Sequence, residues 1–223
     1  MPVAVVTGAS GGVGRDVTAR LIDAGWLVFA QFRTEGAADA DLPATWWQAD
    51  FAQPLGTVRA DLESLGLPDR VDALIHCAGV CPIGTTAELT RGQVEESLAV
   101  NLLAPMELTA QLLPRLRLAG GHVIYVNSGA GLHSHPRWSG YSAAKHAARA
   151  WADALRAEEP DIRVTSVYPG RINTDMQRRL VADLGEKFTP ERYLSVATVA
   201  GAIVHAVSTP ADAQLPDISL RPR

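Results

Sequence analysis

Val3-Ala4-Val5-Val6-Thr7-Gly8-Ala9-Ser10-Gly11-Gly12-Val13-Gly14 is the stretch that decides the fold. Its first five residues form an apolar, largely β-branched run of the kind a parallel sheet buries on both faces. The glycines follow at once, and residues 13–24 then carry helical character. Strand, glycine loop and helix in that order aim backbone N–H groups and a helix N-terminus at a phosphate. Glycine lets the backbone approach such a ligand with no Cβ in between. The spacing is Gly8-x3-Gly12-x-Gly14, which departs from the usual G-x-G-x-x-G. A glycine loop alone also fits a plain strand-to-helix turn.

Outward from this stretch the same alternation continues. Strand patterns cover 3–7, 27–32, 45–49, 71–76, 121–127, 162–168 and 217–221, with helical stretches near 13–24, 54–65, 90–118, 139–158 and 195–208. Alternation of this kind predicts an α/β fold, a doubly wound parallel sheet of about seven strands with helices on both faces. Pro105 and Pro114 interrupt the long helical stretch and predict a bend or break there. The segment 34–44 reads as an ordinary surface connection. A chain of 223 residues, 47% hydrophobic and 20% charged, fits a single domain over 1–223 with a full core.

Charge and composition exclude several function classes. A net charge of −4 gives no reason to expect a nucleic-acid partner. The first apolar run has no basic region before it and is too short for a signal or a membrane span, so a cytoplasmic protein is expected. Cys77 and Cys81 are spaced Cys-x3-Cys with no second cluster, and read as small apolar residues near a strand end. His133 and His135 lack an evident third ligand and read as loop residues, so no metal site is expected. Trp46 and Trp47 lie in a strand pattern and read as core with one partly exposed face.

The chemistry is carried by Ser128 and by Tyr141-Ser142-Ala143-Ala144-Lys145. The chain holds two lysines, Lys145 and Lys187, against eighteen arginines. Four tyrosines and two lysines would give Tyr-x-x-x-Lys by chance about 0.04 times. On a helix, residues four apart share a face. A phenol titrates near pH 10 and is a poor acid–base catalyst at neutral pH, but a fixed ammonium nearby favours phenolate. Arginine cannot substitute as that compact point charge. The spacing therefore predicts a tuned proton donor and acceptor.

Together these motifs resemble the short-chain dehydrogenase/reductase family, in its short single-domain branch, over almost the whole chain. Thr7-Gly8-x3-Gly12-x-Gly14 is similar to its cofactor loop, and Ser10 and Val13 lie within it. Asp50 stands where the family contacts adenine, with Phe51 beside it. Ala78-Gly79 matches the end of its Asn-Asn-Ala-Gly element, although His76-Cys77 replace the two asparagines. Pro169-Gly170-x3-Thr174, with Ile172 inside it, looks like the segment that holds the nicotinamide carboxamide. Asn101, Ser128, Tyr141 and Lys145 match the catalytic tetrad. The resemblance implies a Rossmann-type fold and hydride transfer between a nicotinamide cofactor and a carbonyl/alcohol pair. It implies that Tyr141 moves the proton, that Lys145 lowers the Tyr141 pKa and binds the nicotinamide ribose, and that Ser128 polarises the carbonyl. Asn101 would hold a water leading from Lys145 to solvent.

Cofactor choice rests on charge. An NAD-selective site of this kind has an acid at the end of the second strand. Here that strand ends Phe32-Arg33-Thr34, and a guanidinium suits a 2′-phosphate. NADP is expected, with NAD possible; Arg33 as a turn residue paired to Glu35 is the bland alternative, and Gly11 stands where many NADP-dependent relatives carry a base. Residues 175–192 are expected to form a short lid over a small aldehyde, ketone or alcohol. Arg171 could meet an acidic substrate, a cofactor phosphate or solvent. A silent cofactor-binding regulator has no need of Ser128, Tyr141 and Lys145 together. An isomerase or dehydratase of the family's longer branch needs a substrate domain that about twenty residues after Thr174 cannot supply. The small residues of 139–158 predict pairing of helices across a twofold axis, hence a homodimer or homotetramer.

Overall fold

The structure, a computed structural model, describes residues 1–56 and 58–223, with the backbone alone at Arg59 and Ala60. The expected helical stretch 54–65 includes Thr57, which lies outside the described residues. Seven parallel strands form one sheet: β1 Val3–Thr7, β2 Leu27–Phe32, β3 Thr45–Gln48, β4 Ala73–His76, β5 His122–Val126, β6 Arg163–Pro169 and β7 Asp217–Leu220. Their order is β3-β2-β1-β4-β5-β6-β7. The winding reverses between β1 and β4, which opens a crevice at the carboxyl ends of those strands. This is the doubly wound sheet that the alternation predicts.

Side chains alternate across β1 and feed two cores. Val3 and Val5 face α2 Val58–Ser64, α4 Ala104–Ala119 and α5 Ser139–Glu158, where Leu62, Leu108, Leu112, Leu116 and Leu155 are buried. Ala4 and Val6 face α1 Gly12–Asp23 and α7 Val196–Val207, through Val17, Leu21, Val199 and Ile203. Two further helices complete the set, α3 Arg91–Leu98 and α6 Asp175–Asp183. Thr90 and Gln93 form a reciprocal cap at the start of α3, and Gly120, at φ 57, ends α4 in the left-handed region.

The long stretch 90–118 neither breaks nor runs straight. A π-helical turn, Ala99–Leu103, joins α3 to α4, and the Ala104 N–H donates to the Ala99 carbonyl five residues back. Pro105 sits in the first turn of α4, where a missing N–H is tolerated. It has none to offer the carbonyl four residues back, that of Asn101, and this gap is used by the site. Pro114 lies inside α4 on the exposed side, where water can serve the carbonyl its ring leaves unpaired.

Candidate active site

The carboxyl ends of β1, β4 and β5 build the site floor. Thr7 ends β1, and its hydroxyl accepts from the N–H groups of Cys77 at 3.1 Å and Ala78 at 3.2 Å. Gln31, buried in β2, holds the glycine loop: Gly8 N–H donates to its Oε1 at 2.8 Å, and its amide donates to the Ala49 carbonyl. Gly8 has φ +63, and a Cβ there would lie 2.8 Å from Ala78; one on Gly14 would lie 2.2 Å from the Gly8 carbonyl oxygen. The loop is therefore folded tightly against β4 and α1, and larger residues cannot replace these glycines.

This cradle fits a nucleotide diphosphate. Gly11 caps α1 with no side-chain hydrogen bond, and the first turn of α1 carries no acid. A Cβ on Gly11 would meet nothing within 4 Å. The helix thus presents its positive end and its first N–H groups to open space, as an anion requires. Thr174 closes the far side, its methyl 3.3 Å from where a Gly12 Cβ would stand. Ser10 and Val13 lie within the loop and the first turn of α1.

The reacting groups come from β5 and α5. Asn127 staples the two together: its Oδ1 accepts from Ser128 N–H and its amide donates to the Lys145 carbonyl. Gly131 permits this approach, since a Cβ there would lie 2.4 Å from Asn127 Oδ1. Ser128, Tyr141 and Lys145 are brought together, and the Ser128 side chain lies beside the Tyr141 phenol and favours its ionised form. Lys145 is buried on the same face of α5, its Nζ 5.8 Å from the Tyr141 ring centroid.

Sequence reasoning overlooked Tyr125. Lys145 Nζ donates to its hydroxyl at 2.9 Å and to the Val126 carbonyl at 3.0 Å. The Tyr125 hydroxyl in turn donates to the Asn101 carbonyl at 2.5 Å, the carbonyl that Pro105 leaves without its usual partner. The Asn101 side chain turns the other way, donating to the carbonyls of Val80 and Ser97, each at 2.9 Å, and accepting from Val80 N–H. Asn101 is thus fully buried and structural in its contacts, and its amide braces the Ala78-Gly79-Val80 turn.

The charge relation differs from expectation. Burial raises the Tyr141 phenol above its usual value, with the neighbouring Cys81 adding to the rise and only the Ser128 hydrogen bond opposing it. Burial also lowers Lys145 to about 7, against the attraction of Cys81 and Cys77. Loss of water around each group sets the direction of both shifts, and the ammonium points to Tyr125. In this structure the net shift of Tyr141 is upward, and the phenol holds its proton at neutral pH. Cys81 lies near Tyr141 and Lys145, and burial pushes the thiols of Cys77 and Cys81 up to about 12, so both stay neutral.

The short chain dehydrogenase model matches residues 2–185. The chain belongs to this family. It is 32% identical over 204 residues to dehydrogenase/reductase SDR family member 7B of Mus musculus, covering 83% of this chain and 62% of that relative, so it spans under two thirds of that protein. The alcohol dehydrogenase of the archaeon Thermococcus sibiricus, complexed with 5-hydroxy-NADP, shares its fold at a TM-score of 0.86 and 25% identity, over 100% of this chain and 97% of that one. A 4-hydroxyisoleucine dehydrogenase complexed with NADH gives 0.85 at 20% identity, over 100% and 98%, a likeness of fold alone.

The remaining residues flagged from sequence divide into two groups. Pro169 ends β6; Gly170 donates its N–H to the Leu220 carbonyl, and a Cβ on it would strike Pro222. Ile172 pairs with Leu194, and Thr174 caps α6 through Gln177 N–H. These stand on the cradle's far wall. Asp50 turns its carboxylate to its own Ala52 N–H, while Phe51 is buried against Trp47 in the core. Asp50 is exposed, so its second carboxylate oxygen and the backbone of the pair remain open to a base. Arg33 is exposed at the end of β2, and its carbonyl accepts from Gln48. Among the described residues its guanidinium makes no ion pair, with Glu35 or any other acid. The segment 34–44 carries Asp39, which binds Arg15 of α1 at 2.6 Å. No helix among the described residues is long and apolar enough to cross a membrane.

Proposed function

We propose that the chain is an NADP(H)-dependent oxidoreductase of carbonyl/alcohol pairs, with Tyr141 as proton donor in reduction and acceptor in oxidation. The observation that carries this reading is the buried Tyr141 phenol, still protonated, against the Ser128 hydroxyl and one helical turn from Lys145. When bound, the nicotinamide supplies or accepts the hydride. Every other part is performed by the chain's own side chains and backbone.

The glycine loop and the α1 terminus hold the diphosphate, and Arg33 meets the 2′-phosphate with a free guanidinium. Ala78-Gly79 lines one side of the nicotinamide half, and the Pro169–Thr174 segment lines the other. Ser128 donates to the substrate oxygen and fixes it beside the Tyr141 hydroxyl. Tyr141 gives that oxygen its proton as charge develops there. Lys145 draws the phenol toward phenolate in that step, and Tyr125 holds the ammonium in place. The segment 175–192 closes over the substrate and excludes water; α6 fills its first half.

The test is consumption of NADPH and of NADH with a panel of aldehydes and ketones. Turnover with NADPH preferred supports the reading; turnover with NADH preferred removes the Arg33 assignment. The chain is also proposed to assemble as a homodimer or homotetramer. Leu103 and Met106 lie exposed at the junction of α3 and α4, as an interface would require. A single 23.7 kDa species in light scattering at micromolar concentration overturns that assembly.

A further inference from the structure

The Tyr141 ring has an aromatic neighbour in the segment that leads into α5. Trp138 lies edge-on to the Tyr141 ring, with centroids 5.8 Å apart. The Trp138 ring in turn carries two cationic or ionisable neighbours. The Arg171 guanidinium sits 5.9 Å from its centroid, and the His135 ring lies 5.8 Å away. Arg137, next to Trp138, has φ 70, the only left-handed conformation of a non-glycine residue among those described. Its carbonyl is tied by the Gly84 N–H. Such strain persists where the surroundings fix it, and it turns the chain to present Trp138.

Arg137 pairs with Glu88 at 3.9 Å, and Arg171 is the cation of the two that stands over the Trp138 ring. Its one ion pair among the described residues is with Glu186, at 3.5 Å, with side chains 39% and 54% exposed. A pair that long and that open contributes little and is readily exchanged. Contact with Trp138 places the guanidinium one aromatic ring away from Tyr141. A planar guanidinium on an aromatic face is suited to take a carboxylate on two N–H groups.

We propose that Arg171, backed by Trp138, is the anion anchor of the substrate site, and that the substrate is an oxo or hydroxy compound bearing a carboxylate. This rests on the oxidoreductase reading above. Glu186 holds the guanidinium until the substrate carboxylate replaces it, so the lid residue and the substrate compete for one cation.

The test uses matched probes: 4-carboxybenzaldehyde and the methyl ester of the same acid, each reduced with NADPH by the full chain. The wild-type protein is expected to favour the acid by tenfold or more in kcat/KM. In Arg171→Gln that ratio should fall at least tenfold, and in Glu186→Gln it should rise two- to threefold. A wild type that takes the ester as well as the acid overturns the proposal. So does an Arg171→Gln protein in which both probes lose equally or the KM for NADPH rises in step, since either result assigns Arg171 to the fold or the cofactor. Calorimetric titration with the same two probes keeps the questions separate. If neither is reduced yet the acid binds and Arg171→Gln abolishes that binding, the anion site stands and the assigned reaction falls. If the acid does not bind, the anion site falls.

Discussion

The two ends of the cleft are built in opposite ways. At the proposed reacting end, Tyr141, Lys145 and Tyr125 are buried and Ser128 is half-buried, and Lys145 and Tyr125 share their hydrogen bonds. At the far end of β2, Arg33 stands exposed, and its guanidinium makes no ion pair among the described residues. Chemistry needs a geometry fixed before substrate arrives, and burial with hydrogen bonds supplies it. Selection between two nucleotides needs only a charge that one has and the other lacks. A solvent-facing guanidinium can do that at little cost to the fold, because it stays hydrated until it meets the phosphate. Changes at the two ends should therefore differ in kind as well as in size.

The largest effect is expected from Tyr141→Phe. The ring still packs on Trp138, and only the transferable proton is gone. We expect kcat to fall by about a thousandfold or more, with nicotinamide binding retained by fluorescence titration. A variant that turns over near the wild-type rate would remove Tyr141 from the chemistry. Lys145→Arg should be similarly impaired, because a planar cation cannot reach both the Tyr125 hydroxyl and the Val126 carbonyl as Nζ does.

At the exposed end, Arg33→Ala should raise the KM for NADPH far more than that for NADH. A charge-assisted hydrogen bond contributes about 1.5–3 kcal/mol, or roughly 10- to 150-fold. Equal shifts for the two cofactors would show that Arg33 does not read the phosphate. The kcat at saturating NADPH should stay close to wild type, which is the contrast with Tyr141.

Burial beneath the reacting end also has a stability consequence that the exposed end lacks. His76 is fully buried, hydrogen-bonded to Thr109 at 2.9 Å, and its pKa is lowered to about 3, by burial first and then by the Lys145 charge. An unfolded imidazole titrates near 6.5. The unfolded chain therefore takes up a proton that the folded one refuses. The contribution of His76 is fully present above about pH 6.5 and is lost as pH falls toward 3. Between pH 7 and 5 the loss is about 2 kcal/mol for such a group. His122, lowered to about 3 by burial and by Arg163, behaves in the same way. Urea unfolding of His76→Gln across that range should show about 2 kcal/mol less loss than wild type. Identical slopes would mean that His76 titrates normally in the fold.

Much of this was legible in the sequence because it rests on local pattern. The strands are found within two residues of their expected bounds, since β-branched runs between turn residues leave few alternatives for elements such as β1 and β6. Helical spacing and a scarce lysine mark Tyr141 and Lys145, and the fold brings them together with Ser128. The segment 175–192 was expected as a lid, and its first half is a helix, capped by a threonine that was picked out for another reason. What stayed hidden depends on contacts between distant segments. Gln31 looks like an ordinary polar residue in a strand until Gly8 is seen to donate to it. The Asn101 side chain meets Val80 and Ser97, contacts that the sequence pattern does not reveal. The balance between burial and attraction at Tyr141 also needs the depth of the site, which no spacing rule contains.

Tyr125 offers the finest division between the two ends, because it touches no substrate and acts only through Lys145. A trace of it was present in the sequence: a proline at 105 must leave the carbonyl at 101 without its helical donor, and something buried has to satisfy it. The Tyr125 hydroxyl does so while also accepting from the ammonium. Tyr125→Phe keeps the ring against Trp151 and removes both bonds. The ammonium then loses an acceptor that favours its charged form, so the Lys145 pKa should fall further from its value of about 7. One hydrogen bond of about 1 kcal/mol corresponds to about 0.7 pH unit. Activity that depends on the charged lysine is lost as pH rises, and this alkaline limb should move down by that amount. The rate at pH 6 should change least. A merely structural tyrosine would lower the rate at every pH and leave the limb where it was, and that result would separate Tyr125 from the proton-handling group.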